Sequence, residues 1–304
     1  MLNDLDLTNV LVFDIETVSG VAHYDDLSPT MQYLWDIKSP QAQRGREVQY
    51  SSRDSYSMYG GIFAEFGKIC CISVGTFRTN KDTGELNFYV RSYYHHDERQ
   101  LLLDFADLLE KRYNSLKIHK LCGHNIKEFD MPYTCRRMLI NRVPLPAVLD
   151  IAGKKPWEVG HIDTMDFWKF GDYKSFTSLK LLCGVFGIPT PKDDIDGSQV
   201  GTTYWDEDDL HRIHVYCRKD VVATAQVLLS YRLSPILRDD QIIMVEQERE
   251  IGTLPSTSYV KPLPIVEEEK EEEPKEETAA VVEQENEAET ENSSKKGKKG
   301  KKMS

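Results

Sequence analysis

Two acidic residues, Asp14 and Glu16, close the apolar run Val10–Phe13 in "NVLVFDIETVSG". On an extended strand, residues two apart share a face. Both carboxylates therefore point the same way, at what reads as the end of a buried strand. They repel each other unless something positive lies between them. Two further segments carry acids in a comparable setting. In "CGHNIKEFDMPY", Asn125, Phe129 and Asp130 fall where a short strand gives way to a helix, and active-site groups on packed sheets gather at such ends. In "VYCRKDVVATA", Tyr216 and Asp220 are four apart and so neighbours on one helix face. Four carboxylates and a phenol suit hydrolysis of a phosphodiester by two divalent ions, roughly 4 Å apart, that clamp the attacking and leaving oxygens. Hard oxygen donors favour Mg²⁺ or Mn²⁺ over zinc. Such ions would sit between Asp14 and Glu16. Tyr216, with an ordinary pKa of about 10, would orient the attacking water.

No single piece is specific. With 25 Asp and 25 Glu in 304 residues, D-x-E arises by chance roughly twice. Order and context give the set its weight, and context means the elements that hold it. The pattern predicts strands over Asn9–Asp14, Lys68–Phe77, Leu86–Tyr93 and Lys120–His124, the second and third joined as a hairpin by "TNKDTGE". Helical spacing marks Asp97–Tyr113 and Phe129–Arg142. "HIDTMDFWKF" reads as a strand running into a loop or helix, and "SFTSLKLLCGVFGI" as a helix with a glycine stop. Asp206–Leu233 is a long helical stretch with room for one break. Between the first two strands, residues 19–67 form a long irregular insertion with one short helix near Pro29–Trp35. A three-stranded meander followed by alternating helices and strands implies a mixed sheet with helices packed on it.

"FDIET", "GHNIKEFD" and "YCRKD", in this order, resemble the three motifs of the DEDD superfamily of 3′–5′ exonucleases, in its tyrosine subtype. "EFGKICCISVG", "LCGHNIKEFDMPY" and "GIPTPKDDIDGSQV" are similar to the predicted exonucleases related to the proofreading domain of family B DNA polymerases. The resemblance spans about Val10 to Leu229. It implies an RNase H-like α/β fold, a mixed five-stranded sheet flanked by helices, within an exonuclease domain of residues 1–252. It also implies roles. Asp14 would bridge two metals, Glu16 and Asp220 would complete the site that carries the nucleophilic water, Asp130 would hold the second ion, and Tyr216 would position the nucleophile. The implied substrate is the 3′ end of single-stranded or frayed DNA. An exoribonuclease of the same chemistry, or an inactive nucleic-acid-binding protein with the same fold, stand as alternatives.

A terminal nucleotide needs stacking surfaces and a few cations. Thr17, Asn125, Phe129, Lys180 and Lys192 are candidate substrate contacts, and Tyr56, Tyr59 and Phe63 in the insertion are candidate stacking rings. Arg136 and Arg137 read as a solvated helix face, and His124, His161 and His214 as structural residues rather than ligands. Asp163 reads by default as an ordinary strand-end residue, with support of the acidic site as its other reading, shared by Asp166. The six cysteines include no C-x-x-C pair and read as reduced core thiols.

Net charge is −12. From Glu267 onward there are 13 Glu and 8 Lys, a net −5, which leaves −7 for the body. An acidic body argues against broad, non-specific duplex binding but not against the grip of an enzyme on a few nucleotides. Residues 253–304, rich in Glu and Lys and ending in "KKGKKGKKMS", read as a disordered tail. Neither a secretory signal nor an apolar run of membrane-spanning length is found, so the expected setting is cytoplasmic, away from membranes.

Overall fold

A computed structural model describes residues 2–155, 158–172, 174–189, 195–246 and 250–254, all within the unit Met1–Val260. The strands are β1 (Val10–Ser19), β2 (Gly67–Thr79), β3 (Leu86–Tyr94), β4 (Lys120–Gly123), β5 (Ile162–Asp163) and β6 (Ile242–Val245). The helices are α1 (Pro29–Ala42), α2 (Ser52–Tyr59), α3 (Glu98–Arg112), α4 (Asp130–Ile140), α5 (Thr164–Lys169), α6 (Leu179–Phe186), α7 (Val200–Trp205) and α8 (Leu210–Tyr231).

One sheet runs in the order β5-β4-β1-β2-β3-β6. The β1–β2 and β2–β3 pairs are antiparallel, and β1–β4 and β4–β5 are parallel. That is the RNase H-like arrangement. The expected count of five strands is corrected to six, because β6 pairs parallel with the outer edge of β3. Only four residues long, β6 carries too short an apolar pattern to stand out in sequence.

Alternation along β1 divides the core. Leu11, Phe13 and Ile15 pack in the cluster with α3 and α4 residues such as Phe105 and Met131. Val10 and Val12 pack on the other face against Val221, Ala225 and Leu228 of α8. The even-numbered positions of β1 thus face α8. The strand does not end at Asp14, as its apolar run suggests, but continues to Ser19. Its pairing with β2 shifts between Glu16 and Thr17, leaving Cys70 as the extra residue on β2. Such a bulge re-aims side chains beside it.

The segment between β1 and β2 is more ordered than its sequence suggests. It folds into α1 and α2 around Trp35, Tyr56 and Phe66, with the Trp35 indole edge-on to both rings. The helix expected near Pro29–Trp35 is present and runs on, past Pro40, to Ala42, while the polar run of α2 conceals the second helix from a pattern reading. Arg137 corrects another expectation. It is no solvated residue; its Nε donates to Glu98 at 2.8 Å, and Glu98, itself buried, also accepts the Ile69 N–H at 2.7 Å and the Asn141 amide at 2.7 Å. The long helical stretch at the end resolves into one unbroken α8 beginning after Asp209, whose side chain caps it.

Candidate active site

Asp14 and Glu16 occupy the even face of β1, with Glu16 opposite Cys71 of β2. Above them lies α8, where Ile213, Cys217 and Val221 form the buried stripe against the sheet. The Cys217 thiol donates to the main-chain oxygen of Asp14 and to its Oδ2, both at 3.5 Å. One donor atom each from Asp14, Glu16 and Cys217 lie within 4.8 Å of one another. Tyr216 and Asp220, one helical turn apart, share a hydrogen bond from phenol to carboxylate.

Asp130 arrives from the other side. Pairing of β1 with β4 stops at Val12–Cys122, because the chain turns at Asn125 into α4. The Ile15 N–H, left without a strand neighbour there, donates instead to Asp130 Oδ1 at 3.1 Å. Asp130 is the first residue of α4, a position that favours a negative charge.

The electrostatics are those of crowded, buried anions. Burial, then Asp130, Glu16 and Asp220, holds the Asp14 carboxyl well above the usual range. Burial, then Asp220, Cys71 and Asp130, does the same to Glu16. Asp130 is pushed up to about 7, chiefly by burial, with the Ile15 N–H opposing. Burial and then the Asp220 charge push the Tyr216 phenol far up. Among the described residues, no lysine or arginine pairs with Asp14, Glu16 or Asp130. The hard oxygens of Asp14, Glu16 and Asp130, with this deficit of positive charge, fit divalent cations of the Mg²⁺ or Mn²⁺ kind.

The turn that delivers Asp130 is held by Asp163. Its buried carboxylate accepts the N–H groups of Asn125 and Lys127 at 3.0 Å each, and those of Met165 and Asp166 at 3.0 and 3.2 Å. Asn125 sits at φ +65°, and its side-chain oxygen is buried without a partner. It lines a cavity of about 240 Å³ together with Lys127, Lys154, Asp163 and Lys169. Phe129 is half-buried against Tyr133, ring centroids 5.3 Å apart. Thr17 is half-buried just past the bulge and bonds the Tyr133 phenol.

Other candidates lie elsewhere. Lys180 is exposed on the first turn of α6 and makes no bond to the cluster among the described residues. Lys192 lies outside the described residues. Tyr56 is fully buried, its hydroxyl on the Phe66 carbonyl at 3.1 Å, so it offers no face for stacking. Tyr59 lies under Arg46, and Phe63 under Lys38. His124 and His161 use both ring nitrogens within the fold, as expected of structural histidines.

One site-facing residue escaped the sequence reading, and a second was read only in part. Cys217 was readable only as a core thiol; its i, i+4, i+8 place with Ile213 and Val221 was the available sign that it faces the sheet. Asp163 gave no sign of its four backbone bonds, which join segments 38 residues apart.

A family described as "Predicted 3′-5′ exonuclease related to the exonuclease domain of PolB" matches residues 63–248. The match includes Asp130, Tyr216 and Asp220 and begins after Asp14 and Glu16. No curated protein matches the chain. Among solved structures, the family B DNA polymerase from the hyperthermophilic archaeon Pyrobaculum calidifontis is similar at 19% identity and a TM-score of 0.42, over 74% of this chain and 24% of the polymerase. The chain thus spans about a quarter of that protein's length.

Proposed function

The chain belongs to the family of predicted 3′–5′ exonucleases related to the PolB exonuclease domain, and from that membership we propose that it is a metal-dependent enzyme removing nucleotides from 3′ ends of single-stranded or frayed DNA. The observation that carries the proposal is the convergence of Asp14, Glu16, Asp130 and Asp220 with Tyr216 at one acidic site.

Two Mg²⁺ or Mn²⁺ ions, when bound, supply Lewis-acid polarisation of the phosphate and a hydroxide at neutral pH. Asp14 would touch both ions, Glu16 and Asp220 would complete the first, and Asp130 the second. Tyr216 keeps its proton throughout the working pH range and can hand a hydrogen bond to the attacking water. That bond now goes to Asp220. Asn125, with its unpartnered oxygen, and the half-buried Phe129 would meet the terminal nucleotide. Asp163 acts through them, by fixing the turn.

The test is digestion of 5′-labelled single-stranded DNA and RNA in Mg²⁺ or EDTA, with wild type beside Asp14→Ala. A metal-dependent ladder on DNA that disappears in the variant is the expected result. A ladder on RNA alone moves the activity to the exoribonuclease reading. Absence of any ladder from folded protein overturns the proposal.

A further inference from the structure

We propose that Cys217 makes the acidic pair a binding site for one thiophilic divalent cation of the zinc–cadmium class, held by the Cys217 thiolate with Asp14 and Glu16. The inference rests on the reading of this cluster as a cation site, and adds a donor that phosphodiester hydrolysis does not need.

The distances carry it. A zinc ion takes sulfur at about 2.3 Å and carboxylate oxygen at about 2.1 Å, so a tetrahedral angle sets the two donors about 3.6 Å apart. Cys217 Sγ and Asp14 Oδ2 stand 3.5 Å apart. These two donors already have the required bite. Glu16 completes the group within 4.8 Å and needs only side-chain torsion to close. A water in the fourth position gives the geometry of an open zinc site. Cys217 lies mid-way along α8 and is fully buried, and the neighbouring Cys71 thiol is hydrogen-bonded to it. Asp14 is only partly buried, which leaves the cluster a way in.

The choice of metal follows from the donors. Mg²⁺ and Mn²⁺ prefer oxygen donors and gain less from sulfur than zinc and cadmium do. On binding, the Cys217 S–H bond breaks, its proton passes to the buffer, and the sulfur lone pair forms the metal bond. No electron is transferred. The occupied state ties up Asp14 and Glu16 in a four-coordinate arrangement, so such a cation competes with Mg²⁺ for the two carboxylates.

The experiment titrates the full-length, metal-free chain with Cd²⁺ alone. It reads the ultraviolet sulfur-to-cadmium charge-transfer band and the protons released. Wild type should give one saturating step. Cys217→Ser should lose the band. Asp14→Asn should keep it but bind at least about 10-fold more weakly, the loss that even an outer-shell partner brings, and this variant serves if Cys217→Ser does not fold. A band of full strength in Cys217→Ser, Cd²⁺ affinity unchanged by Asp14→Asn, or no band in wild type overturns the inference. A chain that digests DNA with Mg²⁺ but lacks a Cys217-dependent band overturns this inference alone. A Cys217-dependent band in a chain without nuclease activity overturns the exonuclease reading alone.

Discussion

The carboxylate of Asp130 takes the main-chain N–H of Ile15 at 3.1 Å, between the two acids of β1. One acid of the cluster therefore substitutes for the strand that β4 fails to provide. The position of Asp130 and the path of β1 are set by the same bond.

Asp14→Asn should abolish activity and raise stability together. Losing a group that would contact both metals should lower the turnover rate by at least about 10³-fold, the upper scale for a single electrostatic stabiliser. In EDTA, removal of one of several buried like charges should stabilise the fold by roughly 1–2 kcal/mol. Urea unfolding with and without Mg²⁺ checks both signs, because the stabilisation should vanish once metal is supplied.

The pH dependence of the metal-free protein has a defined direction. Asp130 is raised from 3.8 to about 7, so between those values the folded state binds more protons than the unfolded one. Its favourable contribution is complete below about pH 4 and is lost as pH rises toward 7, at up to about 1.4 kcal/mol per pH unit for one proton. His161 and His214, lowered to about 4 and about 3, act in the opposite sense: they favour the fold above their ordinary pKa of 6.5 and oppose it as pH falls. Comparison with Asp130→Asn isolates the carboxylate. The stability difference between wild type and variant should shift against wild type from pH 4 to 7 and level off above.

Tyr216→Phe removes only the hydroxyl bonded to Asp220. Activity should fall by about 10²-fold, the lower scale for a positioned proton-bearing group. Mg²⁺ affinity, read by thermal shift, should change little. Because burial and the neighbouring acids keep the phenol protonated, the wild-type rate profile should show no tyrosine ionisation on its alkaline side. A large loss of Mg²⁺ affinity would instead place Tyr216 among the residues that build the cation site.

Asp163→Ala leaves four N–H groups without their acceptor. With α5 uncapped and the Asn125 turn released, a loss of about 2–4 kcal/mol is expected. Asp163→Asn keeps one acceptor oxygen and should recover about half. If Asp163 positions the turn for substrate, the milder variant should raise KM more than it lowers kcat.

Much of the site was legible because it depends on local periodicity. The i, i+2 spacing of Asp14 and Glu16 fixes their common face whatever the rest of the chain does, and the i, i+4 spacing does the same for Tyr216 and Asp220. What was not legible depends on partners distant in sequence. Nothing near Asp14 announces that β1 runs on to Ser19, because that continuation is held by β2 from Gly67 onward. Arg137 reads as a surface cation until Glu98, 39 residues away, is placed beneath it. Cys217 looks like any core thiol until β1 sets a carboxylate 3.5 Å from its sulfur.

The short β6 has a protective side. Without it, β3 would present nine residues of unpaired backbone along one margin of the sheet, a template on which a second chain could pair. The opposite margin is already blunt, since β5 has only two residues. Four residues that follow the last long helix thus cover the middle of that margin, Phe88 to Arg91. A protein shortened to end before Ile242 would retain all five residues assigned to hydrolysis, yet its weakness would be self-association, emerging as turbidity at concentrations where the full chain stays clear.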